Sequence, residues 1–72
     1  MDNWYFLAEG TRPGEKIVAQ RNSGGLILHV AAAFLNPQNP YSYNLYPVSY
    51  KGIKSIDKKQ SISIYDLKYE RK

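Results

Sequence analysis

The alternation of apolar and polar residues at the start of the chain predicts a β-hairpin. Residues 3–8 are rich in aromatic and aliphatic side chains, and in an extended strand Phe6 and Ala8 lie on the same face. Residues 10–14 interrupt this run. Their Pro-Gly pair suits the centre of a type II turn, because Pro fixes φ near about −65° and Gly accepts a positive φ. Residues 15–21 resume the apolar pattern and predict the second strand.

Residues 26–35 form the longest apolar run, and its period does not separate strand from helix because both faces are apolar. The Gly pair that precedes the run and the β-branched residues within it favour a strand. The alanine triplet at residues 31–33 and the length of the run favour a short buried helix. We prefer the strand, and in either form we expect the segment to be core or interface.

Prolines delimit the next segment. Residues 36–40 contain two prolines, each of which lacks a backbone donor and restricts the residue before it, so we expect a loop there. Residues 41–50 are the most aromatic part of the chain and predict a strand in which Tyr41 and Tyr43 share a face. Pro47 makes this an edge strand or introduces a bulge.

The C-terminal part of the chain carries more varied signals. The pair Lys51-Gly52 permits a turn or kink, and residues 53–57 continue in extended form. Ser and Ile then alternate over residues 61–64, which is typical of a strand with one buried face. The apolar phase shifts at Tyr65, which indicates a bulge, a strand buried on both faces or a short helical end.

These patterns predict about five short strands separated by turns. We therefore predict a mainly β fold, or an α+β fold with one short helix, built as a small antiparallel sheet or an SH3-like or OB-like barrel. The 72 residues suffice for a single domain, residues 1–72. A chain of this size buries only about 60% of its unfolded surface, so its core is small.

The sequence predicts neither an export signal nor a membrane-spanning helix. Its N-terminus lacks a basic segment followed by an apolar run, and residues 26–35 are too few to span a bilayer as a helix, which needs about 20 residues. We expect a soluble, cytoplasmic protein with no membrane partner.

The residues that usually carry catalysis are few. The sequence has no cysteine and one histidine, His29, which lies in an apolar context without a carboxylate at a diagnostic spacing. Residues 10–16 lack the spacing of a phosphate-binding loop, so a plain hairpin turn is the better interpretation. We therefore predict no catalytic residue, no metal site and no cofactor, and expect His29 to be a hydrogen-bonded core or interface residue.

The charge is distributed unevenly along the chain. Residues 1–50 hold three cations and three carboxylates, whereas residues 51–72 hold seven cations and three carboxylates, so the whole net charge of +4 lies in the last 22 residues. Cations neutralise phosphates and aromatic faces stack on bases. We predict a non-catalytic module that binds nucleic acid or a nucleotide-derived ligand through a basic, Tyr-rich C-terminal half. The candidate contacts are Lys51, Lys54, Lys58, Lys59, Tyr46 and Tyr50.

Two further interpretations concern protein partners. Tyr, Ser and Asn are enriched in protein-binding loops, so Tyr41, Tyr43 and Tyr46 are candidate contacts of an inhibitor or modulator of a larger protein, of the type found in phages and mobile elements. The alanines at residues 31–33 allow close approach of two backbones, and a small core gains stability from self-association. We therefore predict a homo-oligomer.

Overall fold

A computed structural model describes residues 3–69. These residues form six strands and one short 3-10 helix, Ile64–Asp66, which lies between the last two strands. The strands are β1 (Asn3–Glu9), β2 (Lys16–Arg21), β3 (Ile27–Asn36), β4 (Asn39–Tyr46), β5 (Gln60–Ser63) and β6 (Leu67–Lys68).

All six strands belong to one sheet in the order β5-β4-β3-β2-β1-β6, which curls into a half-barrel. The mainly β prediction is confirmed. The sheet is mixed rather than wholly antiparallel, because β6 pairs with β1 in parallel. This sixth strand has only two residues, Leu67 and Lys68, and no hydrophobic period can be recognised over so short a segment.

The ambiguous apolar run is the central strand, β3, and it pairs with β2 on one side and β4 on the other. Its alanines are buried within the chain, with Ala31 and Ala33 at 0% exposure and Ala32 at 3%. The strand that we preferred is therefore present. The alanines offer no free surface to a second copy, so the expected homo-oligomer remains a prediction without that support.

One face of the sheet carries the hydrophobic core. Cross-strand register places Val18 opposite Ala31 and Ala33 opposite Leu45, so these side chains share a face. Val18 and Leu45 are completely buried, and burial of a side chain of this size contributes about 1.5–3 kcal/mol. The buried members of this core cluster are Trp4, Val18, Ala31, Ala33, Tyr43, Leu45, Ile56 and Leu67.

The other face of the sheet is covered in part by the chain that follows β4. This strand ends at Tyr46, before Pro47, and a later extended segment takes its place beside β3. There the Val30 N–H donates to the Lys54 carbonyl at 2.8 Å, and the Ile56 N–H donates to the Val30 carbonyl at 3.0 Å. Residues 47–52 consequently leave the sheet and project from this face.

Local details differ from the predicted pattern at three places. β4 is neither an edge strand nor bulged at Pro47, because it pairs with β3 and with β5 and ends at Tyr46. A β-bulge between Phe6 and Ala8 moves Ala8 to the opposite face from Phe6. Residues 36–40 do not form a separate loop, since β3 extends to Asn36 and β4 begins at Asn39. The apolar phase shift at Tyr65 falls in the 3-10 helix, so a short helix is the interpretation that is present, although β6 follows it.

The turn between β1 and β2 has the predicted geometry. Gly14 has φ 77°, and the Glu15 N–H donates to the Arg12 carbonyl at 3.0 Å, which places Pro13 and Gly14 at the centre of the turn. The described residues include no helix long and apolar enough to cross a membrane.

Gly10→Ala should destabilise the fold, because a methyl group on Gly10 would overlap the side chain of the buried Glu15. We expect a loss of about 1–3 kcal/mol in the free energy of unfolding, measured by urea denaturation. The matched control is Gly24→Ala, whose new methyl would meet only the Asn22 side chain at 3.4 Å and should change stability by less than about 0.5 kcal/mol. Equal stabilities of the two variants would contradict the close packing of Gly10 against Glu15.

Candidate functional site

A groove of about 690 Å³ lies on the face of the sheet opposite the core cluster. Its floor is formed by side chains that register places on the same face, with Ile17 opposite Ala32, Ala32 opposite Tyr46, and Phe34 opposite Asn44. Ala32 leaves space between larger neighbours because it has only a methyl group. A groove of this volume is within the usual range of ligand sites, about 300–1,000 Å³.

The first wall of the groove consists of residues 47–50, which follow the end of β4, and Tyr46 lies where this wall meets the floor. This wall is attached to the sheet through one hydroxyl group. The Val48 N–H donates to Ser55 Oγ at 2.8 Å, and Ser55 Oγ donates to the Ile56 carbonyl at 3.1 Å. The wall therefore has a defined position relative to β3.

The predicted turn at Lys51-Gly52 closes this wall. The Ile53 N–H donates to the Tyr50 carbonyl at 2.9 Å, and both central residues have positive φ, 49° for Lys51 and 72° for Gly52. Positive φ at both central positions defines a type I′ turn, in which Asn or Asp is favoured at the first of them. Lys51 is the only non-glycine residue with positive φ among residues 3–69.

The second wall is the hairpin connection between β1 and β2, and it lies across the sheet from the first wall because β3 and β2 separate the two. It includes Glu9, Gly10, Thr11, Arg12 and Glu15.

Glu15 organises the second wall. Its Oε1 accepts hydrogen bonds from the backbone N–H groups of Thr11 at 2.9 Å and Arg12 at 3.4 Å.

Two lysines lie over tyrosines of the first wall. The Lys59 Nζ is 5.4 Å from the centroid of the Tyr46 ring, and the Lys51 Nζ is 5.3 Å from the centroid of the Tyr50 ring. Both distances are within the range of cation–π interactions. The Tyr46 ring also meets the Phe34 ring edge to face, with centroids 6.0 Å apart. Aromatic surface and positive charge thus coincide along one side of the groove.

The structure therefore brings together four of the six residues that the sequence suggested for nucleic acid: Tyr46, Tyr50, Lys51 and Lys59. None of the four lysines lines the groove itself, and Lys51 and Lys59 adjoin it only through the rings of Tyr50 and Tyr46. Lys54 and Lys58 are exposed and lie over neither ring, and the backbone carbonyl of Lys54 is used in the contact with β3.

The three tyrosines suggested for a protein partner have different surroundings. Tyr41 is 62% exposed, whereas Tyr43 is 8% exposed and belongs to the core. Burial raises the pKa of the Tyr43 phenol. The neighbouring Tyr69 raises it further through an electrostatic interaction and a hydrogen bond, and Lys16 acts in the opposite direction. Tyr46 lines the groove, so Tyr41 and Tyr46 are the two that a partner could contact.

His29 has a structural partner. Its Nδ1 lies 3.0 Å from Oε1 of Gln20, the residue directly opposite on β2, so it is hydrogen-bonded as expected. Within residues 3–69, no group of three His, Asp or Glu side chains is arranged to hold a metal ion.

Sequence patterns missed Phe34, Arg12 and Glu15 as groove residues. Phe34 belongs to the apolar run, in which a floor position cannot be distinguished from a core position until the register with β4 is known. Arg12 and Glu15 flank the Pro-Gly pair, which signals a turn and gives no indication of what the turn approaches.

The chain matches no protein family, no characterised protein and no solved structure. The geometry of the groove therefore carries the functional proposal.

Alkaline pH should test the environment of Tyr43. The folded state holds the phenolic proton to a higher pH than the unfolded state, whose pKa is 10.0, so this contribution to stability is complete below pH 10.0 and is lost as the pH rises above it. The free energy of unfolding, measured by urea denaturation, should fall less steeply above pH 10.0 in Tyr43→Phe than in the wild type. Tyr41→Phe, at an exposed tyrosine, should follow the wild-type curve. Parallel curves for the wild type and Tyr43→Phe would contradict a raised pKa.

Proposed function

We propose that this protein is a non-catalytic binding module whose groove binds single-stranded nucleic acid or a nucleotide-derived ligand. The observation that carries the proposal is that Tyr46 and Tyr50 line one groove while a lysine ammonium lies over each ring. In the proposed complex the tyrosine rings stack on bases, and Lys51 and Lys59 contact phosphates.

The chemistry of the two side-chain types supports this assignment. Base–aromatic stacking contributes about 1–3 kcal/mol per base and tolerates any base, because every base has a π-face. Lysine carries a compact charge on a flexible stem, so an ammonium that rests on a tyrosine in the free protein can move to a nearby phosphate. The groove would thus hold bases on its aromatic side, and the phosphates would lie beside the lysine ammonium groups.

The backbone at Lys51 gives separate support. The first central position of a type I′ turn favours Asn, Asp or Gly, and a lysine with φ 49° costs stability there. The position nevertheless holds a lysine, whose ammonium is 5.3 Å from the ring centroid of Tyr50. A role of this charge in binding the ligand would explain the choice of residue.

A second proposal is favoured by the exposure of Tyr41. This residue is 62% exposed on β4, and Pro40 beside it is exposed as well. A rigid aromatic surface of this kind suits a protein partner. In that case the module would act as an inhibitor or modulator, Tyr41→Ala would release the partner, and salt would have little influence on the affinity.

Fluorescence anisotropy with a labelled oligothymidylate of about 12 nucleotides tests the first proposal. Each phosphate contact lowers the slope of log affinity against log salt by about 0.7 for single strands, so two to four contacts predict a weakening of roughly 7-fold to 50-fold between 50 mM and 200 mM salt. No binding at 50 mM salt would exclude single-stranded nucleic acid, and binding of a small nucleotide would then be measured by calorimetry.

Two pairs of lysine substitutions with the same change in net charge locate the site. The double variant Lys51→Asn and Lys59→Gln should weaken binding about tenfold and reduce the salt slope by about 1.4, because it removes the two ammonium groups beside the groove. Asn suits the turn at position 51, so loss of fold is not the expected cause.

The matched control is Lys54→Gln with Lys58→Gln, which alters two exposed lysines that lie over neither groove tyrosine and should have the smaller effect. Equal weakening by the two pairs would indicate attraction by overall charge and would remove the groove from the proposal.

A further inference from the structure

We infer that Arg12 binds a phosphate of the ligand from the wall opposite the lysines, and that Glu15 is the positioning residue that holds Arg12 in place. This inference rests on the proposed function. The ligand class is accordingly a nucleotide unit, with a base in the groove and a phosphate within reach of both walls.

The surroundings of Glu15 differ from those of an ordinary surface acid. It is 8% exposed and is the one buried charged residue within residues 3–69. A buried carboxylate is costly unless hydrogen bonds compensate the lost water. Here the donors are the backbone N–H groups of Thr11 and Arg12, so the carboxylate acts directly on the residue that carries the guanidinium.

The backbone of the same connection is held at two more points. The Gly10 N–H donates to the Glu15 carbonyl at 2.9 Å, and the Glu15 N–H donates to the Arg12 carbonyl at 3.0 Å. The absence of a side chain at Gly10 leaves the space that the Glu15 side chain fills. Arg12 is therefore exposed to solvent on a wall whose backbone is fixed, which is the arrangement expected of a binding residue.

Arginine and lysine would contribute differently. The guanidinium is planar and presents paired donors that match phosphate oxygens, whereas an ammonium acts as a point charge. Arg12 would thus fix the position of one phosphate, while Lys51 and Lys59, beside the first wall, would contact other phosphates of the ligand. Glu9 is exposed on the same wall as Arg12, and its negative charge opposes an anionic ligand.

The sign of the Glu9 effect tests whether a phosphate of the oligothymidylate lies beside the second wall. Glu9→Gln removes a repulsive charge and should tighten the binding of the labelled oligothymidylate by up to about fivefold, given that a single exposed charge pair contributes about 0.2–1 kcal/mol. Weaker binding in Glu9→Gln would overturn the placement of a phosphate here, because it would mean that the carboxylate attracts the ligand.

Arg12→Gln tests the phosphate contact itself. We expect about tenfold weaker binding of the oligothymidylate and a salt slope reduced by about 0.7, as for the loss of one phosphate. Arg12→Lys should recover the slope but only part of the affinity, because the paired donors are lost. If the wild type binds and Arg12→Gln has the same affinity and slope, this inference fails and the proposed function stands. If the wild type does not bind, the proposed function itself has failed.

A double-mutant cycle tests the positioning role. Glu15→Ala should weaken binding about as much as Arg12→Gln, and combining the two should cause no further loss, because both act through one contact. Additive losses would assign Glu15 a purely structural role. Glu15→Gln keeps an oxygen acceptor for both N–H groups and should bind within about twofold of the wild type.

Hydrogen exchange keeps the test decisive if Glu15→Ala fails to fold. The amides of Thr11 and Arg12 should exchange slowly in the wild type and in Glu15→Gln, and fast exchange of both in the wild type would overturn the positioning role.

A competition experiment distinguishes a free nucleotide from a nucleic-acid strand, since both present a base and a phosphate. Unlabelled thymidine monophosphate that displaces the oligothymidylate with similar affinity would identify a free nucleotide as a sufficient ligand. Failure to displace it would indicate that the groove needs the polymer.

Discussion

The pairing of β3 with strands on both sides is the constraint on which the rest of this molecule depends. Its alanines alternate between the two faces, so that Ala31 and Ala33 pack in the core cluster while Ala32 lies in the floor of the groove. Small side chains at these positions let Leu45 fill one face and leave open space on the other. Substitution of a larger residue at the central alanine would fill the groove, whereas the same change at its neighbours would disrupt the core.

The groove exists because β4 is shorter than the strand it accompanies. Pro47 ends β4, so β4 offers no acceptor to the Val30 N–H. The Lys54 carbonyl accepts this hydrogen bond instead. The intervening residues must leave the plane of the sheet and return, and they do so as the wall that carries Tyr46 and Tyr50. A proline that protects a strand edge in many sheets thus creates a concave surface here.

The charges of the groove are arranged by side. Two lysines accompany the aromatic wall, and the hairpin wall carries an arginine together with a buried carboxylate whose hydrogen bonds hold that wall in shape. The net charge of +4 belongs formally to the C-terminal residues, yet Arg12 comes from the electrically neutral N-terminal half. Only the folded chain brings the lysines and Arg12 to the same groove. The uneven charge along the sequence therefore indicates the lysine side of the proposed site but not the arginine side.

Local preferences in the sequence determined the β class, the turn at Pro13-Gly14, the turn at Lys51-Gly52 and the pairing of basic with aromatic residues near Tyr50. The two turns depend on the φ and ψ angles that a few neighbouring residues can adopt. The β class and the pairing of basic with aromatic residues depend on local composition. The tertiary structure alone decided that β6 joins β1, that a bulge moves Ala8 to the other face, and that Phe34, Arg12 and Glu15 line the same groove as the tyrosines. Register is the sum of many contacts between residues distant in sequence, and a shift of one residue exchanges the two faces of a strand. Whether an apolar residue belongs to the core or to the groove is therefore settled only when the strands pair.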